Sequence, residues 1–327
     1  MPYQIESFPN GKTSVRNSAL SESMHSSIGP WEEANLIYIG QSCIEERLNP
    51  LEVGPLVVYD VGLGIAANAL ALIQTTLQKT SGNLHLISFE NDLEGLKFAL
   101  NKSGQFPFLC KIPDLIELVK KNFLLKADPK PDPAPRRFEY KSKSGQTIQW
   151  ELRTGDFLHE IAKPLPPPEL IYFDFYSPKS SPQLWSYKVF RQLYEITAPR
   201  RQQNQNTTLL TYSSSTAVRS AMILAGFQVG YGIQTAAKFE TTQATTCSKN
   251  LSAPLGEKWI HHLKRSSKPV PTDHKYATQS AAITEVIKAM EQWEERPNPA
   301  VQSPGVEAES WCCSHPLSSS AQRWCSS

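Results

Sequence analysis

One segment, VVYDVGLGIAANAL at residues 57–70, limits the possible fold more than any other part of the chain. A run of apolar β-forming residues ends in Asp60, and Gly62 and Gly64 follow before an alanine-rich stretch with helical spacing. Glycines at such a turn let the backbone pass close to a ligand without a clash from a Cβ atom. The first residues of the next helix offer unpaired N–H groups to a polar ligand. The segment therefore predicts a strand, a tight ligand-binding turn and a helix.

The same alternation of a short apolar run and a helical pattern recurs along the chain. NLHLISFE at 83–90 precedes a helical segment at 92–102, and ELIYFDFYSP at 169–178 precedes an amphipathic one at 183–197. A strand–turn–helix–strand–helix order is typical of a parallel α/β sheet. We therefore expect an open α/β sheet with the turn at 62–64 on its ligand-binding edge.

Composition divides the chain into a central domain and two flanks. Residues 1–30 are polar and show no strand or helix period, and residues 31–242 carry the α/β pattern. Within this domain, 126–145 holds four prolines and six basic residues, which predicts an exposed basic insertion. Residues 243–327 are expected to be an extension with a helix near 279–295 and a disordered end.

Charge and residue usage exclude several classes of protein. No apolar run approaches the roughly 18 residues of a membrane span, and the start lacks a signal-peptide pattern, so we expect a cytoplasmic protein without membrane contact. No CxxC pair occurs among the cysteines, which argues against a metal site. The net charge is only +2, so any nucleic-acid contact must come from a local basic patch.

Four acidic residues lie where predicted strands end. They are Asp60, Glu90, Asp156 and Asp174. Ligands of open α/β sheets bind outside the carboxyl ends of the strands, so these side chains should converge on one rim. Glu90 is placed to accept hydrogen bonds from ribose hydroxyls, and Asp156 to hold an adenine amino group. This pattern, with the glycine turn, favours a methyltransferase that uses S-adenosylmethionine. The predicted cofactor contacts are Asp60, Gly62, Gly64, Glu90, Asp156 and Asp174.

Several segments together resemble one family. They are GPWEEANLIYIG, VYDVGLGIAANAL, ISFEND, WELRTGDF and YFDFYSPKSSPQLW. This combination resembles the methyltransferase module of the MnmC-type tRNA-modifying enzymes, over about residues 10–242. The last segment is the most specific, because the family carries an Asp, an aromatic residue, a Ser/Ala-Pro-Lys stretch and a Trp before a helix. Here these are Asp174, Phe175, Ser177, Pro178, Lys179 and Trp185.

The resemblance implies a fold and an activity. The fold is a Rossmann-like methyltransferase fold, with a mostly parallel seven-stranded sheet and helices on both faces. The activity is methylation of the 5-aminomethyl group of a wobble uridine in tRNA, with S-adenosylmethionine as cofactor. The chain shows no second glycine fingerprint for the FAD-dependent oxidase domain of bifunctional relatives. A separate enzyme would then supply the aminomethyl-uridine.

The implied reaction assigns roles to four residues. Asp174 would orient the acceptor amine and accept its proton, directly or through water, because a protonated amine has no lone pair for attack. Phe175 and Tyr176 would stack on the uracil base. Lys179 would contact the tRNA, together with the basic insertion.

Three other functions stay open at this stage. A methyltransferase of a small molecule or protein would share the glycine turn and Glu90 without needing basic residues. A non-catalytic module with the same sheet would result if Ile65 or Ala66 crowded the methionine end of the cofactor site. A nicotinamide-dependent dehydrogenase is a third option, because Ala67 fits a GxGxxA dinucleotide loop. It would need a proton donor, however, and no His follows the fourth strand.

Overall fold

A computed structural model describes residues 2–48, 54–79, 82–124, 134–235, 240–247, 251–271, 273, 276 and 278–295. The strands within these residues are β1 (Tyr3–Ser7), β2 (Thr13–Asn17), β3 (Glu22–Ser23), β4 (Leu56–Val61), β5 (Leu84–Glu90), β6 (Arg136–Lys141), β7 (Thr147–Thr154), β8 (Leu170–Phe173), β9 (Thr208–Thr211), β10 (Gln228–Tyr231) and β11 (Thr242–Thr245). The α-helices are α1 (Pro30–Glu33), α2 (Gly40–Ser42), α3 (Ile44–Arg47), α4 (Ala67–Leu77), α5 (Glu94–Asn101), α6 (Pro113–Val119), α7 (Phe157–Ile161), α8 (Tyr187–Ile196), α9 (Ala198–Gln202), α10 (Thr216–Ala225), α11 (Glu257–Arg265) and α12 (Gln279–Glu295). Five further helical segments are Ala34–Ile39 and Lys120–Leu124, which are π-helical, and the 3₁₀ segments Ser103–Gln105, Pro107–Cys110 and Pro182–Trp185.

The main sheet has the strand order β10-β11-β9-β8-β4-β5-β7-β6. The five strands from β9 to β7 in this order pair with one another in parallel. Strands β10, β11 and β6 form the antiparallel pairs at the two edges. Adjacent residues of β4, Val58 and Tyr59, belong to two separate apolar clusters, because successive side chains of a strand face opposite sides. Helices α4, α5 and α6 supply the first cluster, and α8 and α10 the second. The expected Rossmann-like α/β fold is confirmed.

The sheet of the described residues has eight strands rather than the expected seven. The additional edge strand, β6, comes from the 126–145 segment that was expected to be an exposed insertion. Its residues alternate between half-buried and exposed, and Phe138 packs against Trp150 with ring centroids 5.8 Å apart. A tight turn between Ser142 and Gly145 returns the chain to β7. Residues 126–133 of the predicted insertion lie outside the described part.

The polar segment 1–30, for which no strand was predicted, forms a three-stranded antiparallel sheet, β1-β2-β3. Tyr3 pairs with Asn17, and Val15 is fully buried. The phenol of Tyr3 donates a hydrogen bond of 2.6 Å to Asp92, which follows β5. The small sheet therefore lies against the carboxyl-end loops of the main sheet, and residues before 31 are part of the packed structure.

Residues beyond 242 also pack into the domain. Strand β11 begins at the expected domain boundary and lies between β9 and β10. Trp259 and Leu263 of α11 and Val286 of α12 are almost completely buried in the second apolar cluster. Helix α12 covers the segment predicted to be helical. The last thirty residues, which were expected to be disordered, lie outside the described part. Among the described helices, none is long and apolar enough to cross a membrane.

A buried arginine ties α10 to β11. The side chain of Arg219 is 1% exposed and donates hydrogen bonds to Thr242 Oγ1 at 2.9 Å, the Thr241 carbonyl at 2.9 Å and Glu240 Oε1 at 2.7 Å. Its guanidinium also lies 5.0 Å from the ring centroid of Tyr231. These contacts supply polar partners to a threonine-rich strand that has few apolar side chains to pack.

We expect Arg219→Ala to lower the free energy of unfolding by about 2–4 kcal/mol, since it removes three hydrogen bonds made by a buried side chain and opens a cavity. Chemical denaturation followed by circular dichroism measures this. The control is Lys288→Ala, which removes an exposed ion pair with Glu285 and should change stability by less than about 0.5 kcal/mol. Equal stability of the two variants would contradict the proposed role of Arg219.

Candidate functional site

A cavity of about 570 Å³ opens at the carboxyl ends of β4, β5 and β8, where the α/β pattern predicted a ligand site. The loops after these strands form one side, and the small N-terminal sheet forms another. Its lining includes Tyr3, Asn17, Glu22, Met24, His25, Glu33, Gly62, Gly64, Asn68, Glu90, Asp92, Asp174, Phe175, Tyr176 and Tyr212.

The glycine turn after β4 touches the loop after β8. Gly62 has a φ of +92°, and a Cβ atom there would lie 2.5 Å from the carbonyl oxygen of Asp174. Gly64 also has a positive φ, of +53°. Only glycine allows both this backbone conformation and the close approach at position 62. The turn predicted from the sequence therefore adjoins Asp174 directly.

Glu90 holds the glycine turn in place. Its Oε2 accepts the N–H of Gly64 at 2.9 Å, and its Oε1 accepts the N–H groups of Asn91 and Asp92 at 2.9 and 3.1 Å. Burial raises the pKa of Glu90, and these three hydrogen bonds oppose that shift. A carboxylate has about four acceptor positions, so three backbone bonds leave capacity for one ligand hydroxyl.

Asp174 is positioned by an amide on the first turn of α4. Asn68 Nδ2 donates a hydrogen bond of 2.7 Å to Asp174 Oδ2. Tyr38 is fully buried nearby, and burial, with the charge of Asp174, raises the pKa of its phenol. Asn68 was not predicted, although it is the one amide in an otherwise apolar run of alanines and leucines.

The aromatic residues after Asp174 lie at the cavity wall. Phe175 is half-buried and packs edge-to-face on Phe157, with centroids 5.2 Å apart. Tyr176 also lines the cavity, and its carbonyl accepts the indole N–H of Trp185 at 2.7 Å. Trp185 is 2% exposed and anchors the start of α8, whereas Lys179 is exposed and does not line the cavity.

The cavity carries a strongly negative charge. Of the described residues that line it, none is Lys or Arg, and five are acidic: Glu22, Glu33, Glu90, Asp92 and Asp174. Burial lowers the pKa of His25, against the opposing charge of Glu33, so His25 adds no positive charge at neutral pH. Such a site attracts a sulfonium or an ammonium group and repels phosphate.

Comparisons with known proteins agree with this geometry. The family model of the S-adenosyl-L-methionine-dependent methyltransferases matches residues 121–247. The bifunctional protein MnmC of Aeromonas hydrophila, named for tRNA 5-methylaminomethyl-2-thiouridine biosynthesis, is 26% identical over 60% of this chain. An uncharacterized protein of Methanocaldococcus jannaschii is 24% identical over 67% of this chain and 53% of its own length. The crystal structure of MnmC2 from Aquifex aeolicus superposes with a TM-score of 0.58 at 18% identity, covering 88% of this chain and 85% of that one, which supports the fold.

We call this domain the MnmC-like module, after the methyltransferase family model and the MnmC relatives to which it is similar. Its cofactor is S-adenosylmethionine, as the sequence predicted. The chain spans only 28% of the length of the bifunctional relative from Aeromonas.

The cavity of the MnmC-like module has the features that this cofactor needs. Its glycine turn admits a close backbone approach, Glu90 keeps an acceptor position for a hydroxyl, and the negative charge suits a sulfonium. Ile65 and Ala66, the residues that would block the methionine end in a non-catalytic module, are 0% and 2% exposed and do not line the cavity.

Two of the four predicted strand-end acids lie outside the cavity of the module. Asp60 is 1% exposed behind the glycine turn, and its Oδ2 accepts the hydroxyl of Ser88 at 2.8 Å. Burial raises the pKa of Asp60 to about 7, with the charges of Asp174 and Glu90 adding to the shift and Ser88 opposing it. Asp156 is exposed and caps α7 by accepting a backbone N–H at 2.9 Å. Their predicted contacts with the cofactor stay predictions.

A residue of the N-terminal sheet, Glu22, binds the loop that follows β8. Glu22 accepts the N–H of Ser177 at 2.8 Å and its hydroxyl at 3.1 Å, and it also accepts the hydroxyl of Ser180. This contact holds the loop that carries Phe175 and Tyr176. The local sequence gave no signal for it, because Glu22 lies about 155 positions from Ser177 in the chain.

We expect Glu90→Gln to weaken S-adenosylmethionine binding about tenfold or more, or about 1.4 kcal/mol. The change removes a negative charge from the site and loosens the turn at Gly64. Calorimetric titration measures the dissociation constant. The matched control is Glu94→Gln, an exposed residue that pairs with Lys97 on α5. An unchanged dissociation constant in Glu90→Gln would remove Glu90 from the cofactor site.

The raised pKa of Asp60 predicts a pH-dependent effect on stability. In the folded protein this carboxyl binds its proton up to about pH 7, whereas an ordinary aspartate loses it near 3.8, so its contribution to stability falls as pH rises from 3.8 to about 7 and is lost above that. Asp60→Asn removes this loss. We expect the melting temperature of the variant, relative to wild type, to be higher at pH 8.5 than at pH 5.

The control for this measurement is Asp156→Asn, since Asn and Asp are equally good helix caps and the residue is exposed. Its melting temperature should follow that of wild type across the pH range. A parallel pH profile for Asp60→Asn would contradict the shifted pKa of Asp60.

Proposed function

We propose that the module transfers a methyl group from S-adenosylmethionine to the primary amine of a 5-aminomethyl group on the wobble uridine of a tRNA. The observation that carries the proposal is the acidic cavity, in which Asp174 lies beside the glycine turn without a Lys or Arg among the described lining residues. An amine acceptor enters such a cavity as an ammonium ion. The name of the Aeromonas relative, which concerns a methylaminomethyl group on tRNA, supports the same acceptor.

The residues of the module can prepare the amine for attack. The bound cofactor supplies a methyl group already activated by its positive sulfur. Asn68 holds the carboxylate of Asp174 at the cavity wall, where it accepts one proton from the ammonium and exposes the nitrogen lone pair. S-adenosylmethionine, held by the glycine turn and Glu90, would supply the methyl group to that lone pair and would keep the electron pair of the broken carbon–sulfur bond on its sulfur. Alignment of the two reactants accounts for most of the remaining rate.

The proposed uridine base lies against Phe175 and Tyr176. Both residues line the cavity next to Asp174, and Glu22 holds their loop from the other side. An unstacked base is commonly recognised by aromatic side chains in this way. Lys179 follows them on the exposed side of the loop, where a phosphate group of the RNA would lie.

The basic strand β6 contributes less to RNA binding than its composition predicts. Arg136 donates to the carbonyl of Phe123, and Lys141 pairs with Glu139 at 3.2 Å.

The proposed reaction consumes an aminomethyl-uridine, so a separate enzyme would supply that group. Both enzymes would act in the cytoplasm, where tRNA is modified.

We expect Asp174→Asn to lower kcat by about 100-fold or more, the usual effect of losing a general base. The substrate is a tRNA anticodon stem–loop that carries 5-aminomethyl-2-thiouridine, and the measurement is transfer of a radiolabelled methyl group. The loss should shrink at high pH, because the amine then loses its proton without help. Binding of S-adenosylmethionine should fall by a much smaller factor than kcat.

Wild-type protein and Asp114→Asn, which lies on the exposed start of α6, are the references. No transfer to this RNA by wild type would contradict the proposed substrate. Equal kcat values for wild type and Asp174→Asn would instead leave the substrate intact and contradict the role of Asp174.

A further inference from the structure

A second cavity, of about 410 Å³, lies next to the first. It is bounded by the turn between β1 and β2, the start of α1 and the segment at 104–111. Residues 29–32 line it, whereas Ser26 and Glu33 line the first cavity. Helix α1 has four residues and is therefore about 6 Å long. The two cavities thus flank one short helical turn.

The second cavity contains an aromatic platform. Trp31 is half-buried and stacks on Phe108, with ring centroids 5.5 Å apart and an interplanar angle of 17°. The ammonium of Lys111 lies 4.3 Å from the centroid of the Trp31 ring. An indole face of this kind can stack with any of the nucleobases. Stacking of one base raises the affinity for RNA roughly 5- to 150-fold.

The charge of the second cavity is opposite to that of the first. Lys12 and Lys111 line it together with one acidic residue, Glu32, which forms an ion pair with Lys12. Partial burial lowers the pKa of Lys111, and the same Glu32 carboxylate opposes that shift. Two ammonium groups therefore share one carboxylate, which leaves an excess positive charge beside the indole ring. Aromatic surface with adjacent positive charge is the chemistry that recognises a nucleotide.

We propose that the second cavity binds the nucleotide of the RNA chain that neighbours the methylated uridine. Its base would stack on Trp31 in place of the Lys111 ammonium, and its phosphate would lie between Lys12 and Lys111. The modified base alone would enter the acidic cavity on the other side of α1. The proposal rests on the proposed function, in which RNA is the substrate. It adds a binding site for the nucleotide next to the reacting base.

The test compares Lys111→Glu with Lys264→Glu. Lys264 is also exposed but lies on α11, on the opposite face of the main sheet, so the pair separates a local effect from a change in net charge. Fluorescence anisotropy measures binding of a labelled anticodon stem–loop at several salt concentrations. We expect Lys111→Glu to raise the dissociation constant at least tenfold and to reduce the salt slope by about one unit, while Lys264→Glu does neither.

Three further measurements test the assignment of this cavity. Binding of S-adenosylmethionine should be the same in Lys111→Glu and wild type, which separates this cavity from the cofactor site. A nucleoside monophosphate should not displace the RNA at micromolar concentration. Displacement at that concentration would assign the cavity to a free nucleotide and overturn the proposal. Trp31→Ala should also weaken RNA binding. If Trp31→Ala does not fold, the result for Lys111→Glu alone tests the proposed site.

Equal RNA affinity of wild type and Lys111→Glu, or equal losses in Lys111→Glu and Lys264→Glu, would overturn the proposal. The proposed function would fail through a different result, namely that wild type transfers no methyl group to the RNA. RNA binding is measured without turnover, so the second cavity is tested whatever the outcome for catalysis.

Discussion

The backbone contact between Gly62 and Asp174 is the constraint on which the site depends. Strands β4 and β8 are adjacent and parallel, so their loops leave the sheet at the same end, and the N–H of Asp174 donates to the carbonyl of Val61 at 2.8 Å. A Cβ atom at position 62 would lie 2.5 Å from the Asp174 carbonyl oxygen and push the loops apart. The same turn carries the N–H of Gly64 to Glu90. Loss of this one contact would therefore separate the glycine turn from Asp174, the carboxylate that we propose to be catalytic.

The sequence predicted the sheet and its ligand edge because both depend on local patterns. Apolar runs, glycines and strand-end acids place Glu90 and Asp174 at one rim, and the structure brings both to one cavity. The pattern treats Asp60 and Asp156 in the same way, but it contains no information on the direction of each side chain. Asp60 is still within β4 and faces Ser88, while Asp156 lies two residues beyond β7 and begins a helix.

The parts that sequence analysis missed depend on contacts between distant segments. Strands β1, β2 and β3 bury few apolar side chains, and their tie to the domain through Glu22 joins residues far apart in the chain. Strand β11 reads Thr-Gln-Ala-Thr, which has no apolar period, and its partners include the buried guanidinium of Arg219. Long-range polar contacts of this kind leave no periodic signal, so in the sequence the polar strands at the two flanks resemble unstructured tails.

The separation of charge around α1 would allow a protein of net charge +2 to act on the proposed RNA substrate, which is a polyanion. An acidic cavity favours the sulfonium and the ammonium, which both carry positive charge, but it would repel the phosphates on either side of the target base. Charges at the surface act over about 8 Å at physiological salt, so compensation must lie close to the cavity. Lys12 and Lys111 meet that condition because residues of one short helix line both cavities. In the proposed complex the RNA backbone would stay beside the basic cavity while the base enters the acidic one.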